Sequence, residues 1–222
     1  MIVLAYAIAL LLPLLFLYLI YAQDLYGQGK FGFVLLSFGW GLAAFGASYG
    51  VEYLLNRGLS GFVRGMSPAT ITILWFVVLA PIVEELLKSA LLPFLARQMT
   101  YFVDGAIYGF ASGIAFSILE NVLYLARLGR GGAGAAGLMA LLRALSTCLM
   151  HGTTSALVGT AIGRFRYGRG AGRFFSAILG GTLAIGLHML FNWLVSGGGR
   201  AKAMLLPLLG ALLVLTILCG LL

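Results

Sequence analysis

The chain has 222 residues, of which 62% are hydrophobic and 9% are charged. This composition excludes a soluble globular domain and predicts a chain that lies mostly within a membrane. The formal net charge of +8 raises the alternative of a nucleic-acid partner. No separate basic domain and no nucleic-acid-binding motif occurs in the sequence, so no such partner is expected. The basic residues stand mostly in short connections, such as 164–173, where they would face anionic lipid headgroups.

Apolar runs of the length that crosses a bilayer, about 20 residues, recur along the whole chain. Their connections are short, so residues 1–222 are predicted to form a single integral membrane domain, an all-α polytopic bundle of about seven transmembrane helices. The first run lacks a basic start and is longer than the apolar region of a signal peptide, so we expect a retained anchor. The expected location is a prokaryotic cell membrane. The predicted spans are 2–22, 31–55, 69–95, 104–127, 137–163, 174–196 and 203–222.

The third predicted span carries three charged residues in the stretch PIVEELLKSALLP, residues 81–93. Each charge at bilayer depth costs about 2.5–3.5 kcal/mol, so Glu84, Glu85 and Lys88 need a reason to be there. Lys88 follows Glu84 by four residues and Glu85 by three, spacings that place it on their side of a helix. A structural ion pair is therefore the simplest interpretation of the lysine.

The start and the middle of this span are marked by Ser67, Pro68 and Pro81. Ser67 is a good helix cap, and Pro68 suits the first turn. Pro81 has no N–H and leaves the carbonyl of Val77 without its helical partner. This break lies one turn before the glutamates, where a bend is expected.

Each of the next three helices places one ionisable residue on a stripe of small residues. Small residues at helical spacing allow helices to approach closely, so Glu120, His151 and His188 are predicted to face the bundle interior. With antiparallel neighbours, these residues and Glu84 fall within roughly 10 Å of depth. One polar site among helices three to six is predicted, in a core of about 69–196. The stripes are Gly105, Gly109, Gly113, Phe116 and Glu120; Ala144, Cys148, His151, Ser155 and Gly159; and Ala177, Gly181, Ala184, His188, Asn192 and Ser196.

Single polar residues in such helices usually serve packing. A lone histidine, Asn192 or Ser155 is more often a hydrogen-bonding contact between helices than a catalytic group. Asp104 is expected to cap a helix, and Glu52 to lie near the membrane interface. The combination of three glutamates and two histidines in four neighbouring helices favours a functional site.

These residues resemble the motifs of the PrsW family of intramembrane proteases, which shares a superfamily with the CAAX prenyl endopeptidases and bacteriocin-processing proteins. The resemblance implies hydrolysis of a peptide bond of a membrane-anchored protein, with anti-sigma-factor-like substrates, and a water activated by Glu84. Glu120 stands where the CAAX enzymes have a histidine, so a prenyl-cysteine substrate is a less favoured alternative. The matching motifs are EELLK at 84–88, FSILEN at 116–121, HGTTS at 151–155 and HMLFN at 188–192.

Amide hydrolysis needs a water, a base, a proton donor and a group that stabilises the oxyanion. Two neighbouring carboxylates in a low dielectric do not both ionise easily, so a Glu84–Glu120 pair would supply a base and an acid. The histidines could orient water or polarise the carbonyl, and Asn192 could donate to the oxyanion. The predicted catalytic residues are Glu84, Glu85, Glu120, His151, His188 and Asn192, with Lys88, Phe116, Asn121 and Ser155 in support.

Zinc is the alternative to this metal-independent mechanism. No pair with HExxH-type spacing occurs, and the candidate ligands stand on separate helices, so the favoured interpretation requires no cofactor. The zinc interpretation would use Glu84, Glu120, His151 and His188. Two other functions fit a polar core: a proton- or metal-coupled transporter, and a non-catalytic scaffold.

Overall fold

The apolar runs form helices that pack side by side in the computed structural model of the protein. It describes residues 2–22, 30–128, 133–168 and 170–197, and the pairs 208–209, 211–212 and 214–215. All regular secondary structure in these residues is helical, as predicted. Five of the described helical segments are long and apolar enough to cross a membrane: Ile2–Ala22, Phe31–Gly58, Pro68–Gln98, Phe102–Arg127 and Phe174–Ser196. The long helices are α1 (Ile2–Ala22), α2 (Phe31–Gly58), α6 (Phe102–Leu128), α7 (Ala133–Tyr167) and α8 (Gly172–Ser196).

The span between α2 and α6, Pro68–Gln98, is continuous in direction but broken into short segments. Ser67 caps its start as predicted, because its Oγ accepts the N–H of Thr70 at 3.1 Å. The π-helical turn ends just before Pro81, the expected point of distortion. The segments are α3 (Pro68–Thr72), a π-helical turn (Ile73–Leu79), α4 (Ala80–Ser89), α5 (Leu92–Leu95) and a 3₁₀ turn (Ala96–Gln98).

Side chains of other helices bind backbone carbonyls at the end of α4. Trp40 Nε1 of α2 donates to the carbonyl of Leu87 at 2.9 Å. Ser112 Oγ of α6 donates to the carbonyl of Lys88, also at 2.9 Å. The carbonyl of Leu87 also accepts the N–H of Ala90, at 3.2 Å. Because an unpaired carbonyl is costly in a bilayer, these contacts help to make the break tolerable. They also fix α4 against α2 and α6.

Helix α6 is the central element of the bundle. In its most apolar 18-residue window 89% of the residues are buried, against 17–28% in the other candidate spans. It packs on α1, α2, α4 and α7. Its position explains why its polar residues face protein and not lipid.

The glycine stripe of α6 is in contact with the backbone of α7. A Cβ atom added at Gly105, Gly109 or Gly113 would collide with the main chain of Gly159, Ser155 or His151, respectively. The predicted packing of these two stripes is therefore confirmed.

The glycine of α8 that packs closely on α7 is one residue away from the glycine in the predicted stripe. Gly180 lies against Ala161 and Leu157 of α7, whereas an added Cβ at Gly181 would meet no atom within 4 Å. Gly181 belongs to the predicted stripe because it lies at helical spacing from His188, on the same side of the helix. The contact with α7 instead uses the neighbouring face of the helix.

Two predicted spans differ from the structure in other ways. Helix α7 extends to Ala133–Tyr167, beyond the predicted 137–163, and has 35 residues. It carries buried polar residues and is not among the five apolar candidates, although it is long enough. Of the predicted span 203–222, only residues 208–209, 211–212 and 214–215 belong to the described part of the chain, where they are helical.

Candidate active site

One or more ionisable residues from each of α4, α6, α7 and α8 line one cavity of about 390 Å³. Three of these helices reach it through the contacts described above, and α8 adds its inner face. The cavity brings together residues from all four predicted motifs. Its polar lining includes Glu84, Glu120, Arg143, His151, His188 and Asn192.

The Glu85 carboxylate is the centre of the buried hydrogen-bond network. Its Oε1 accepts from Lys88 Nζ at 2.6 Å, from His188 Nδ1 at 2.8 Å and from Thr154 Oγ1 at 3.0 Å. Glu85 is 2% exposed and Lys88 is fully buried. A buried charge must be paired, so the predicted Glu85–Lys88 ion pair has a clear structural purpose.

The bond to Glu85 determines which nitrogen of His188 can react. An ionised carboxylate only accepts hydrogen bonds, so His188 Nδ1 carries the proton and Nε2 keeps a lone pair. Nε2 lies 3.8 Å from Glu84 Oε2. That oxygen is buried and has no hydrogen-bond partner among the described residues. Two acceptor atoms, one on Glu84 and one on His188, therefore face each other beside the cavity.

His151 is held in the opposite tautomer. Lys88 Nζ lies 2.7 Å from His151 Nδ1, and an ammonium group can only donate, so Nδ1 is an acceptor. The proton is then on Nε2, which donates to Glu120 Oε2 at 3.0 Å. The ring stands 5.1 Å from that of Phe116 and 4.9 Å from that of His188, measured between centroids. Phe116 thus packs against His151.

Glu120 is paired with Arg143, a residue outside the predicted site. Arg143 Nη2 lies 2.8 Å from Glu120 Oε1, and Arg143 Nε donates to Asn121 Oδ1 at 3.0 Å. Asn121 in turn donates to Cys148 Sγ at 3.3 Å. Glu120 and Glu84 line the same cavity, but the contacts of Glu120 are a hydrogen bond with His151 and an ion pair with Arg143.

Asn192 of α8 is bound to the backbone of the π-helical turn. The N–H of Ala80, the first residue after this turn, donates to the carbonyl of Trp75, five residues earlier. The next carbonyl, that of Phe76, would take the N–H of residue 81, but Pro81 has none. Asn192 Nδ2 donates to it instead, at 2.8 Å. The sequence predicts that the carbonyl of Val77 loses its helical partner. In the π-helical register the carbonyl that loses its partner is instead that of Phe76, one residue earlier and at the edge of the cavity.

Sequence patterns could have identified the two residues that were missed. Thr154 lies three residues after His151 on the same helix face, and its hydroxyl binds Glu85. Arg143 lies about two turns before His151, again on that face. Both are less distinctive than the histidines because threonine and arginine are common in other roles. Ser155, predicted to support the site, is buried, and its hydroxyl has no partner among the described residues.

The donor set at the cavity fits a zinc ion. One ligand atom of each of Glu84, His151 and His188 lies within 4.8 Å of the others. Two imidazoles and a carboxylate, with a fourth position open, are typical of catalytic zinc sites. Glu85 binds the far nitrogen of His188, as carboxylates behind zinc-binding histidines do. His151 would have to release one of its partners to bind the metal. Glu120, the fourth ligand expected from the sequence, is outside this group.

The chain matches the family model of the PrsW family intramembrane metalloprotease over residues 29–221, nearly its whole length. The match covers all four motifs on which the resemblance rests. No curated protein and no solved structure matches the chain.

Proposed function

The chain belongs to the PrsW family of intramembrane metalloproteases, and we propose that it hydrolyses a peptide bond of a membrane-anchored protein at the cavity beside Glu84. Membership supports an integral, multi-pass membrane peptidase. The observation that carries the proposal is the pair of acceptors, Glu84 Oε2 and His188 Nε2, which face each other at 3.8 Å. Two acceptors at this spacing suit a molecule that donates to both.

The proposed nucleophile is a water that donates one proton to Glu84 and the other to His188. Glu84 acts as the general base, and the water oxygen attacks the carbonyl carbon of the scissile bond. The carbon–nitrogen bond then breaks, and the proton held by Glu84 passes to the leaving amine. The products are a carboxylic acid and an amine, as the balance of hydrolysis requires.

The remaining residues position the reacting groups. Glu85 holds His188 with its Nε2 lone pair toward Glu84, and Lys88 and Thr154 hold Glu85. Glu120, fixed by Arg143, orients His151. Asn192 uses one amide hydrogen on Phe76, and its other hydrogen is free to donate to the oxyanion, where a placed donor is worth about 10²–10³ in rate.

Zinc chemistry is compatible with the same residues. Glu84, His151 and His188 would hold the ion, which would supply Lewis-acid polarisation of the carbonyl and a more acidic water. Glu84 would then be a ligand and not the base. In both mechanisms its loss removes the activated water.

The substrate we propose is a single-span protein of the anti-sigma-factor kind, as the motifs imply. The test incubates purified protein in proteoliposomes with candidate single-span substrates, using the wild type and Glu84→Gln, with and without a chelator. Glu84→Gln should lower turnover at least 10³-fold. Its unfolding temperature should stay close to that of the wild type, because Glu84 Oε2 has no partner to lose.

The results separate the alternatives. Near-normal cleavage by the folded Glu84→Gln variant would remove Glu84 from the mechanism. Cleavage that stops with the chelator and returns with zinc would assign Glu84 the role of a ligand. Cleavage that is indifferent to the chelator would support Glu84 as the base.

A further inference from the structure

One described carboxylate, that of Glu52, has no role in the candidate site or in the fold. Asp104 accepts the N–H groups of Thr100 and Tyr101 at the start of α6. Glu52, in the last third of α2, forms no ion pair within the described part of the chain, and its buried Oε1 has no hydrogen-bond partner there. The other described carboxylates, those of Glu84, Glu85 and Glu120, belong to the candidate site.

Glu52 lines a second cavity, of about 480 Å³. The indole Nε1 of Trp75, in the same cavity, is also buried without a partner among the described residues. The cavity therefore presents one unpaired acceptor and one unpaired donor. Further walls are Tyr49, Tyr53, Asn56 and Ile71.

This second cavity lies at a membrane edge and next to the candidate site. It is formed by the last turns of α2, which ends at Gly58, and by the first turns of the broken span. Trp75 lines it, while the following residue, Phe76, lines the candidate active site. The π-helical turn is thus the wall between the two cavities.

The lining favours a cation. A carboxylate attracts an ammonium or guanidinium group, and the faces of tyrosine and tryptophan rings attract cations as well. The chain has 14 lysine and arginine residues against 6 acidic ones, so a negative group at a membrane edge is unusual on this protein. Membrane-spanning proteins commonly carry lysine or arginine beside the span, at the same depth.

We propose that the Glu52 cavity binds a lysine or arginine side chain that flanks the membrane span of the substrate. Trp75 Nε1 donates to a backbone carbonyl of the same segment. The cavity thereby fixes which peptide bond crosses the π-helical turn and reaches Glu84. This inference rests on the proposed proteolytic function, and it assigns the determinant of the cleavage position.

The test measures binding without cleavage. Glu84→Gln protein in dodecyl maltoside, an uncharged detergent, is titrated with a synthetic single-span leucine–alanine peptide that carries one flanking lysine. A matched peptide has glutamine in place of the lysine. The fluorescence of Trp75, isolated by comparison with a Trp75→Phe variant, reports occupancy. The lysine peptide should bind about tenfold more tightly than the glutamine peptide.

Two further variants locate the effect. Glu52→Gln should remove the preference for lysine, because the amide keeps the shape of the side chain and loses its charge. Arg57→Gln is the matched control on the same helix. Its guanidinium contacts Tyr53, at 3.3 Å from the hydroxyl, and the variant should keep the preference.

Three outcomes would overturn the proposal. The first is equal affinity of the lysine and glutamine peptides for protein that contains Glu52. This comparison does not depend on whether the Glu52→Gln variant folds. The second is a lysine preference that Glu52→Gln retains. The third is the same change in Trp75 fluorescence on adding phosphatidylethanolamine alone, which would assign the cavity to a lipid amine. None of them bears on hydrolysis, since the cleavage assay with Glu84→Gln tests that separately.

Discussion

Lys88 shows how single residues hold the site together. Its ammonium group is fully buried and contacts Glu85 and His151, at 2.6 and 2.7 Å. It also lies 5.2 Å above the ring of Phe116, within the range of a cation–π contact. One side chain thus balances the charge of Glu85 and determines the tautomer of His151.

We expect Lys88→Met to destabilise the protein by about 3–5 kcal/mol, because it leaves the Glu85 carboxylate buried without a counter-charge. Adding Glu85→Gln to this variant should recover much of the loss, since the uncompensated charge is gone. The measurement is the free energy of unfolding in detergent for the wild type, both single variants and the double variant. Strictly additive effects would contradict a direct interaction between Lys88 and Glu85.

Among the elements, the contact between α6 and α7 positions the site most directly. Gly113 lies against the backbone of His151, so the distance between the helices at this point places that imidazole. Protein interiors transmit small displacements because they are closely packed. The glycines of α6 are therefore part of the geometry of the site, although none of them lines the cavity.

Gly113→Ala should destabilise the bundle by about 1–3 kcal/mol, because its Cβ would overpack the contact with α7. The matched control is Gly46→Ala in α2, where an added Cβ would meet no atom within 4 Å. That substitution should be neutral or stabilising by up to about 1 kcal/mol, since alanine is the better helix former. Thermal unfolding in detergent measures both variants. Equal stability of the two would place the Gly113 face of α6 away from α7.

For the whole molecule, the structure relates the site to one face of the membrane. Arg166, near the end of α7, donates to the carbonyl of Ala96 at 2.8 Å and to that of Met99. The end of α7 and the end of the broken span therefore share one face. The broken span Pro68–Gln98 separates the turn after α2 from Gln98, so this turn lies at the opposite face of the membrane. Tyr124 and Val195, which line the candidate site, stand near the ends of α6 and α8. The site is therefore nearer to the face that carries the turn after α2.

Cysteines introduced at Gly61 and Gln98 should be labelled from opposite sides of the membrane. Both residues are exposed, and a single span separates them. The experiment uses protein without its two native cysteines and a membrane-impermeant maleimide, applied to intact cells and to lysed cells. Ser196→Cys should behave like Gly61→Cys. Labelling of Gly61→Cys and Gln98→Cys from the same side would show that Pro68–Gln98 does not cross the membrane.

The sequence alone determined the membrane class, the helical architecture and the family. These follow from features that need no partner: the length of apolar runs, the spacing of small residues, and four short motifs in order. The ion pair of Glu85 with Lys88 was predictable for the same reason, because both residues lie on one helix at a spacing of three. The capping residue Ser67 was another local feature of this kind.

Only the tertiary structure decided how the polar groups share their partners. Glu120 pairs with Arg143, and Asn192 binds the carbonyl of Phe76, because each contact joins two different elements whose relative rotation no local pattern specifies. The π-helical register of Ile73–Leu79 changed which carbonyl Pro81 leaves unpaired. The Glu52 cavity arises where α2 meets the broken span. A sequence states which groups must find a partner in a bilayer, and packing decides which partner each of them finds.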